Sequence, residues 1–373
     1  MRGEPVQEWG EMKKYGIVMA GGGGTRFWPL SRQEEPKQLL NLSGKDTMVN
    51  ETIDRFAGVV DQEDIFIVTN VTQAPKMTTV TSGRVRADHI LAEPAARNTA
   101  ACIGYAAMEI VRKYEDGVMC IVPSDHFIKN IKEYKNIISA AMTAAEQTDK
   151  LVTIGIRPDF PSTGYGYIRS KKGSEEVIAG YDKTYATVEE FVEKPDRETA
   201  ASYLAAGNYV WNSGMFIWKA STILKQFELL LPDVYACLCE IGDAMGTPAE
   251  KETIERVYPV IPKISIDYGI MERAKEVLVM EGDFGWNDVG SLDMLTLVRD
   301  TDENGNVIYG EQLNLDTEGC ISYGTDKLVA TVGVKDLIIV QTSDAILICD
   351  KKRAQDVKLV VDELRAQGKH EYL

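Results

Sequence analysis

Histidine is almost missing from this chain of 373 residues: His89, His126 and His370 are the whole supply. The six cysteines do not make up the shortfall, since Cys237 and Cys239 form a C-x-C pair with no second pair at zinc spacing. A His/Cys zinc centre is therefore not expected. Nor is a Ser-His-Asp triad, because no G-x-S-x-G turn accompanies the three histidines. Six cysteines in so long a chain do not make a disulfide framework, and they read as reduced, mostly buried thiols. No apolar run reaches the ~18 residues of a membrane span. Residues 1–14 are polar and unlike a signal peptide, so a cytoplasmic location is expected. Positive charge is also short. Lys and Arg number 41 against 57 Asp and Glu, a net −16. That balance argues against nucleic acid and anionic membrane surfaces as partners. An anionic ligand would need a local cluster of donors.

What is present is an ordinary globular mixture, 44% apolar and 26% charged. The length suggests roughly two domains at ~150 residues each. Tyr15–Ala20 is a short apolar run ending in glycine, the signature of a strand buried on both faces. Similar runs recur at 65–69, 89–92, 118–122 and 151–156. Helical stretches lie between them, the clearest from Asn98 to Tyr114 with Asn98 or Thr99 as its cap. Such alternation predicts an α/β fold with a doubly wound sheet, its ligand site beyond the C-terminal strand ends. Further strands are expected at 164–168, 186–192 and 214–218. The polar cluster at 300–306 marks a boundary. Beyond it come five short strands and a final helix over 352–367. The expected division is an N-terminal extension (1–14, with disorder expected), a catalytic domain (15–299) and a C-terminal β domain (300–373).

The strongest local signal follows the first strand: Ala20-Gly21-Gly22-Gly23-Gly24-Thr25-Arg26. Four glycines leave no Cβ to obstruct approach and permit positive φ, so successive N–H groups can wrap a phosphate. The pattern is neither a P-loop nor a Rossmann fingerprint, since Arg26 stands where the third glycine belongs. Arg26 offers a planar fork to phosphate oxygens, and Lys37 adds a second cation eleven residues later.

Gly21–Arg26, Phe27-Trp28-Pro29-Leu30-Ser31-Arg32 and Pro36-Lys37-Gln38 together resemble the signature of sugar-1-phosphate nucleotidylyltransferases, in the form found in mannose-1-phosphate guanylyltransferases. Further matches follow in the family's order: Glu93–Thr99, Val122–His126, Thr163–Ile168, Phe191–Pro195, Trp211–Phe216, Ser265–Tyr268 and Trp286–Gly290. The resemblance implies a Rossmann-like, doubly wound mixed sheet with a small C-terminal domain like a left-handed β-helix. It implies transfer of GMP from GTP to α-D-mannose 1-phosphate, giving GDP-mannose and pyrophosphate, with Mg²⁺. It suggests a homodimer. The chain stops where longer bifunctional relatives continue into an isomerase domain, so isomerase activity is not expected.

On this resemblance Ala20 through Arg26 hold the nucleotide, and Lys37 meets the α-phosphate where charge gathers. Asp125 and Asp288 hold Mg²⁺. Glu93, with Arg97 and Asn98 nearby, is either a reader of the two N–H donors on guanine's edge or a strand-end surface acid. Gly166, Glu193, Lys194, Asn212 and Asp267 are expected around the sugar phosphate. Glu193 and Lys194 are adjacent, and in a strand they would face opposite ways unless a turn begins at Pro195. Asp267 and Tyr268 stand between a sugar contact and a structural role, and His126 is assigned none. A phosphate nucleophile is already anionic and needs no general base, which agrees with the shortage of histidine. Other readings are a different hexose phosphate or nucleotide, a catalytically silent nucleotide-sugar sensor, and a nicotinamide dehydrogenase. The last rests on the glycine turn alone.

Overall fold

A computed structural model describes residues 12–373, so most of the expected N-terminal extension lies outside the described residues. The first strand, β1 (Lys13–Met19), begins two residues before the expected catalytic domain. β2 (Ile65–Asn70), β3 (Ile90–Glu93) and β4 (Gly117–Pro123) follow, with helices α1 (Met48–Asp54), α2 (Ala74–Val80) and α3 (Asn98–Lys113) between them. The short β5 (Phe127–Ile128) leads into α4 (Ile131–Thr148) and β6 (Leu151–Ile156). Then come β7 (Tyr167–Ser170), β8 (Glu176–Val177), β9 (Thr184–Val192), α5 (Arg197–Ala206) and β10 (Tyr209–Lys219). Three helices, α6 (Ala220–Leu230), α7 (Pro232–Ala244) and α8 (Glu250–Val257), precede β11 (Val277–Gly282), the short β12 (Trp286–Asn287) and α9 (Leu295–Val298).

One ten-stranded sheet runs in the order β3-β2-β1-β4-β10-β6-β11-β9-β7, with β8 attached to β9. Its first four strands are parallel. β10 is antiparallel to both β4 and β6, which makes the sheet mixed. Alternate residues of the central strands enter different cores: Ile17 packs with α3, α6 and α7, while Val18 packs with α1 and α4. This is why those strands read as unbroken apolar runs. The chain leaves β1 toward β2 on one side and reaches β4 on the other, so the crevice between β1 and β4 is the topological switch point.

The C-terminal part is a stack of short strands. β13 (Val307–Tyr309), β15 (Ile321–Gly324) and β17 (Leu337–Gln341) pair in parallel, and β14 (Gln312–Leu315) pairs in parallel with β16 (Val329–Val332). β18 (Ile346–Asp350) closes the stack in antiparallel fashion.

Three expectations are corrected. The stretch expected as a strand over 164–168 joins the sheet only at Tyr167, leaving Gly164–Gly166 as a loop. β14 was not anticipated, because its apolar Leu313 and Leu315 point outward on a half-exposed strand. The final helix begins late: Lys351–Asp356 is a 3₁₀ turn with a break at Arg353, and α10 spans Val357–Ala366.

Candidate active site

The glycine loop leaves β1 at the switch point and enters a 3₁₀ turn, Thr25–Phe27. Gly24 has φ 61°, and a side-chain carbon built there would lie 2.6 Å from Lys37 Cβ, so glycine alone lets the loop close onto Lys37. Gly22 and Gly23 meet nothing within 4 Å, leaving their backbone open. Gln38 anchors the loop by donating to the carbonyls of Ala20 (2.8 Å) and Gly22 (3.2 Å). Ala20 itself is a correction. It is fully buried, its N–H donates to Val68 and its carbonyl accepts from Gln38 and Thr69. It supports the loop from beneath rather than facing a ligand.

Lys37 is 4% exposed. Its ammonium donates to the Asp125 carbonyl (2.9 Å), Asp125 Oδ2 (3.0 Å) and the Asp288 carbonyl (2.6 Å). Those three bonds use every donor an ammonium has, so Lys37 reaches a phosphate only by exchanging one of them. Asp125 follows β4 as expected. Desolvation alone would raise its carboxyl, but the Lys37 charge and hydrogen bond, with His126, hold it below the ordinary aspartate value.

Asp288 arrives from the far end of the domain, and Tyr165 donates to its Oδ1 at 2.7 Å. The next residue, Val289, is fully buried with φ 45°, a left-handed conformation that is costly for a β-branched side chain. Its N–H donates to Asn287 Oδ1 at 2.7 Å, which fixes the turn. That turn points the Asp288 carbonyl at Lys37 and its carboxylate at Tyr165. Arg26 comes near from the other side: a side-chain carbon on Gly290 would lie 3.1 Å from Asp288 Oδ2 and 3.5 Å from Arg26 Nη1. The Arg26 guanidinium is exposed and donates to Gln355 Oε1 at 3.0 Å.

His126 is held in place beside Asp125 by Trp286. It accepts from Trp286 Nε1 at 3.1 Å, and desolvation pushes it down to about 4 despite Asp125 and Asp288, so it is neutral at pH 7. An aromatic row runs on from it, through Trp286 and Tyr165 to Trp211. Trp218 and Phe216 are core residues.

The row ends beside the second cluster. Gly166 is required there, since a side-chain carbon would sit 2.4 Å from Glu193 Oε2 and 3.2 Å from Asn212 Cβ. Asn212 donates to Asp267 Oδ1 at 2.9 Å. The neighbouring residues Glu193 and Lys194 do share a side. β9 ends at Val192, Lys194 turns with φ 48°, and its ammonium pairs with Glu193 Oε1. The reversal therefore comes one residue before Pro195. Glu193 Oε2 is buried without a hydrogen-bond partner among the described residues, an acceptor free to take a hydroxyl. Desolvation and the Glu193 charge raise Asp267 to about 6.

Between the glycine loop and β3 lies a cavity of about 400 Å³ lined by Gly21, Gly23, Thr25, Glu93 and Ala95. Glu93 is 7% exposed, and its Oε1 accepts from the Tyr258 hydroxyl. Burial, opposed by Tyr258, pushes its carboxyl up to about 7. The alternative of a surface acid is thereby excluded. Arg97 and Asn98 do not line this cavity. Asn98 has φ 68° and accepts from the Thr99 N–H at 2.8 Å, so it shapes the start of α3. Sequence reasoning missed Tyr165, Tyr258, Gln38 and Gln355. Tyr165 lay inside a recognised motif; nothing in the sequence marked Tyr258 or Gln355.

A glycine-lined cavity at the switch point, beside one lysine bonded to the Asp125 carboxylate and to the main-chain carbonyl of Asp288, marks a nucleotide-binding transferase. Residues 15–305 match the family model described as nucleotidyl transferase, and residues 310–364 match one described as the MannoseP isomerase/GMP-like beta-helix domain. The chain is 41% identical to the mannose-1-phosphate guanylyltransferase ManC of Salmonella typhimurium over 97% of its own length and 75% of that protein. It is 37% identical to the alginate biosynthesis protein AlgA of Pseudomonas aeruginosa, covering 95% of this chain and 73% of the relative. Among solved structures, one described as mannose-1-phosphate geranyltransferase from Thermus thermophilus superposes with a TM-score of 0.84 at 34% identity, covering 95% of this chain and all of that one. The chain belongs to the mannose-1-phosphate guanylyltransferase family of nucleotidyl transferases.

Proposed function

We propose that the protein transfers GMP from GTP to α-D-mannose 1-phosphate, releasing pyrophosphate and giving GDP-mannose. A phosphate oxygen of the sugar phosphate forms a bond to the α-phosphorus of GTP as the bond to the β-phosphate breaks. No proton need be removed. The catalytic task is to bring two polyanions together and neutralise charge at the α-phosphorus. The observation that carries this reading is the buried Lys37 ammonium, bonded at once to Asp125 and Asp288 beneath a glycine loop.

The residues divide by position. The N–H groups of Gly21–Gly24 and Thr25, with Arg26, take the β- and γ-phosphates. Lys37 exchanges one protein acceptor for an α-phosphate oxygen. Glu93 accepts from guanine N1–H and N2–H₂; each carboxylate oxygen accepts more than one bond, so the Tyr258 hydroxyl need not leave. Gly166, Glu193, Asn212 and Asp267 receive the mannosyl group, and Lys194 its phosphate. Arg97 and Asn98 act by shaping the loop after β3.

Asp125 and Asp288 suit a divalent cation. Lys37 takes one carboxylate oxygen of Asp125 and Tyr165 takes one of Asp288, which leaves an oxygen on each that neither claims. Among the described residues no group of three or more His, Cys, Asp or Glu is arranged to hold a metal. Two carboxylates completed by phosphate oxygens and water match the preference of Mg²⁺. When bound, the ion would offset charge on the phosphates. Among the described residues no helix is long and apolar enough to cross a membrane. We propose a cytoplasmic homodimer.

The test is pyrophosphate release with GTP, ATP, UTP and dTTP, each paired with mannose and glucose 1-phosphates, with and without Mg²⁺. GTP with mannose 1-phosphate should dominate. Faster turnover with another nucleotide would overturn the role given to Glu93, and no release with any pair would overturn the transferase reading.

A further inference from the structure

None of the site residues expected from the sequence lies in the C-terminal β domain. Its last helix nevertheless forms a wall of the nucleotide cavity, where Val361 and Arg365 line the same space as Gly23, Thr25 and Glu93. α10 packs on the 3₁₀ turn that ends the glycine loop. Arg365 thus lines the cavity from the helix that packs on the end of the glycine loop.

The nearby cations differ in how firmly the protein holds them. Lys37 is buried with three acceptors. Arg26 donates to Gln355, and Arg32, on the cavity wall, forms an ion pair with Asp344 at 2.8 Å. Among the described residues, Arg365 has Asp362 at 3.2 Å as its only ion-pair partner. That aspartate lies three residues earlier on the same helix, and both side chains are at least half exposed. Exposed pairs of this kind contribute little and exchange readily. A triphosphate carries more negative charge than Arg26 and the loop N–H groups can match, in a protein whose net charge is −16. A guanidinium free to leave a weak partner would add a further donor, beside the buried Arg32 Nη1 that has no hydrogen-bond partner among the described residues.

We propose that Arg365 binds the β- and γ-phosphates of the nucleotide, and so the departing pyrophosphate, making the nucleotide site a joint product of both domains. This rests on the reading of the cavity as the nucleotide site. The residue lies beyond residue 305, where the match to the nucleotidyl transferase model ends.

The experiment compares Arg365→Ala, Arg365→Lys and Asp362→Ala with the unaltered protein. KM is measured for GTP and mannose 1-phosphate in the forward direction and for pyrophosphate in the reverse direction, together with inhibition by GMP. Loss of a charge-assisted contact should raise KM for GTP and for pyrophosphate about tenfold in Arg365→Ala. KM for mannose 1-phosphate and GMP inhibition should stay within about twofold, and Arg365→Lys should recover part of the loss. Asp362→Ala, which frees the guanidinium, should not weaken GTP. Unchanged GTP and pyrophosphate constants would overturn the proposal. So would equal weakening of GMP and GTP, which would place Arg365 at the base or in the scaffold. Should the unaltered protein prefer another nucleotide, the base reading fails on its own, and the same comparison with that nucleotide still decides the role of Arg365.

Discussion

In the proposed reaction Glu93 carries the base preference, and its environment makes that preference depend on pH. Burial raises the carboxyl to about 7, against the pull of the Tyr258 hydroxyl. Guanine presents donors only on its N1/N2 edge, so the ionised form binds it and the protonated form sets O–H against N–H. KM for GTP should fall as pH rises from 6 to 8, with the inflection near the Glu93 value, and Glu93→Gln should flatten the profile. Stability runs the other way. A carboxyl raised on folding contributes most below its unfolded value, and that contribution is lost as pH climbs through the folded value. Thermal unfolding should therefore show Glu93→Gln gaining on the unaltered protein between pH 6 and 8. Lys37 makes a second test at this scale. Its three bonds hold Asp125 and Asp288 together, so Lys37→Ala should lose about 100-fold or more in kcat, by analogy with loss of an oxyanion donor. The melting temperature should fall too, because two carboxylate-bearing segments lose their shared partner. Turnover within tenfold of normal would remove Lys37 from the chemistry.

Turns and strand ends decide which neighbouring side chains can work together. The central strands were legible in sequence because burial on both faces leaves only apolar residues, as in Val118–Val122. The sugar cluster was legible as motifs but not as geometry, since the positive φ of Lys194 reverses a strand rule that adjacent residues ordinarily obey. Tyr258 and Gln355 were not legible at all. The first meets Glu93 across 165 positions and the second meets Arg26 across 329, with no local pattern to mark either partner. Gln355 sits in the turn before α10, accepting from Arg26 and donating to Ser291 Oγ at 2.8 Å. In the proposed site its part is to position Arg26. Gln355→Ala should raise KM for GTP several-fold with a melting temperature near normal. Gln355→Glu should slow turnover further, by fastening the guanidinium in an ion pair. If neither variant moved KM for GTP, Arg26 would need no such support.

At the scale of the molecule, composition marked a boundary near residue 300, whereas packing crosses it. Phe27, Trp28 and Leu30 of the signature loop share one buried cluster with Val289 and Leu292, and also with Val307, Ile321, Ile338 and Val361 of the C-terminal domain. Trp28 Nε1 donates to the Tyr372 carbonyl at 2.8 Å, and the Tyr309 hydroxyl donates to the Leu42 carbonyl at 2.6 Å. A polar turn in the sequence reports exposed backbone, and it carries no information about apolar side chains on either side that meet in space. The consequence is testable by truncation after residue 305. Large apolar side chains contribute about 1.5–3 kcal/mol each when buried, so exposing these five on the catalytic side of the junction would cost an amount comparable to the ~5–15 kcal/mol that holds a typical domain folded. The truncated chain should lose transferase activity and aggregate or melt far below the full chain. The full chain should unfold in a single step, with tryptophan fluorescence and far-ultraviolet dichroism changing together. Two separate transitions, or a soluble truncation that still releases pyrophosphate, would mean that the catalytic loop is shaped without help from the domain that leans on it.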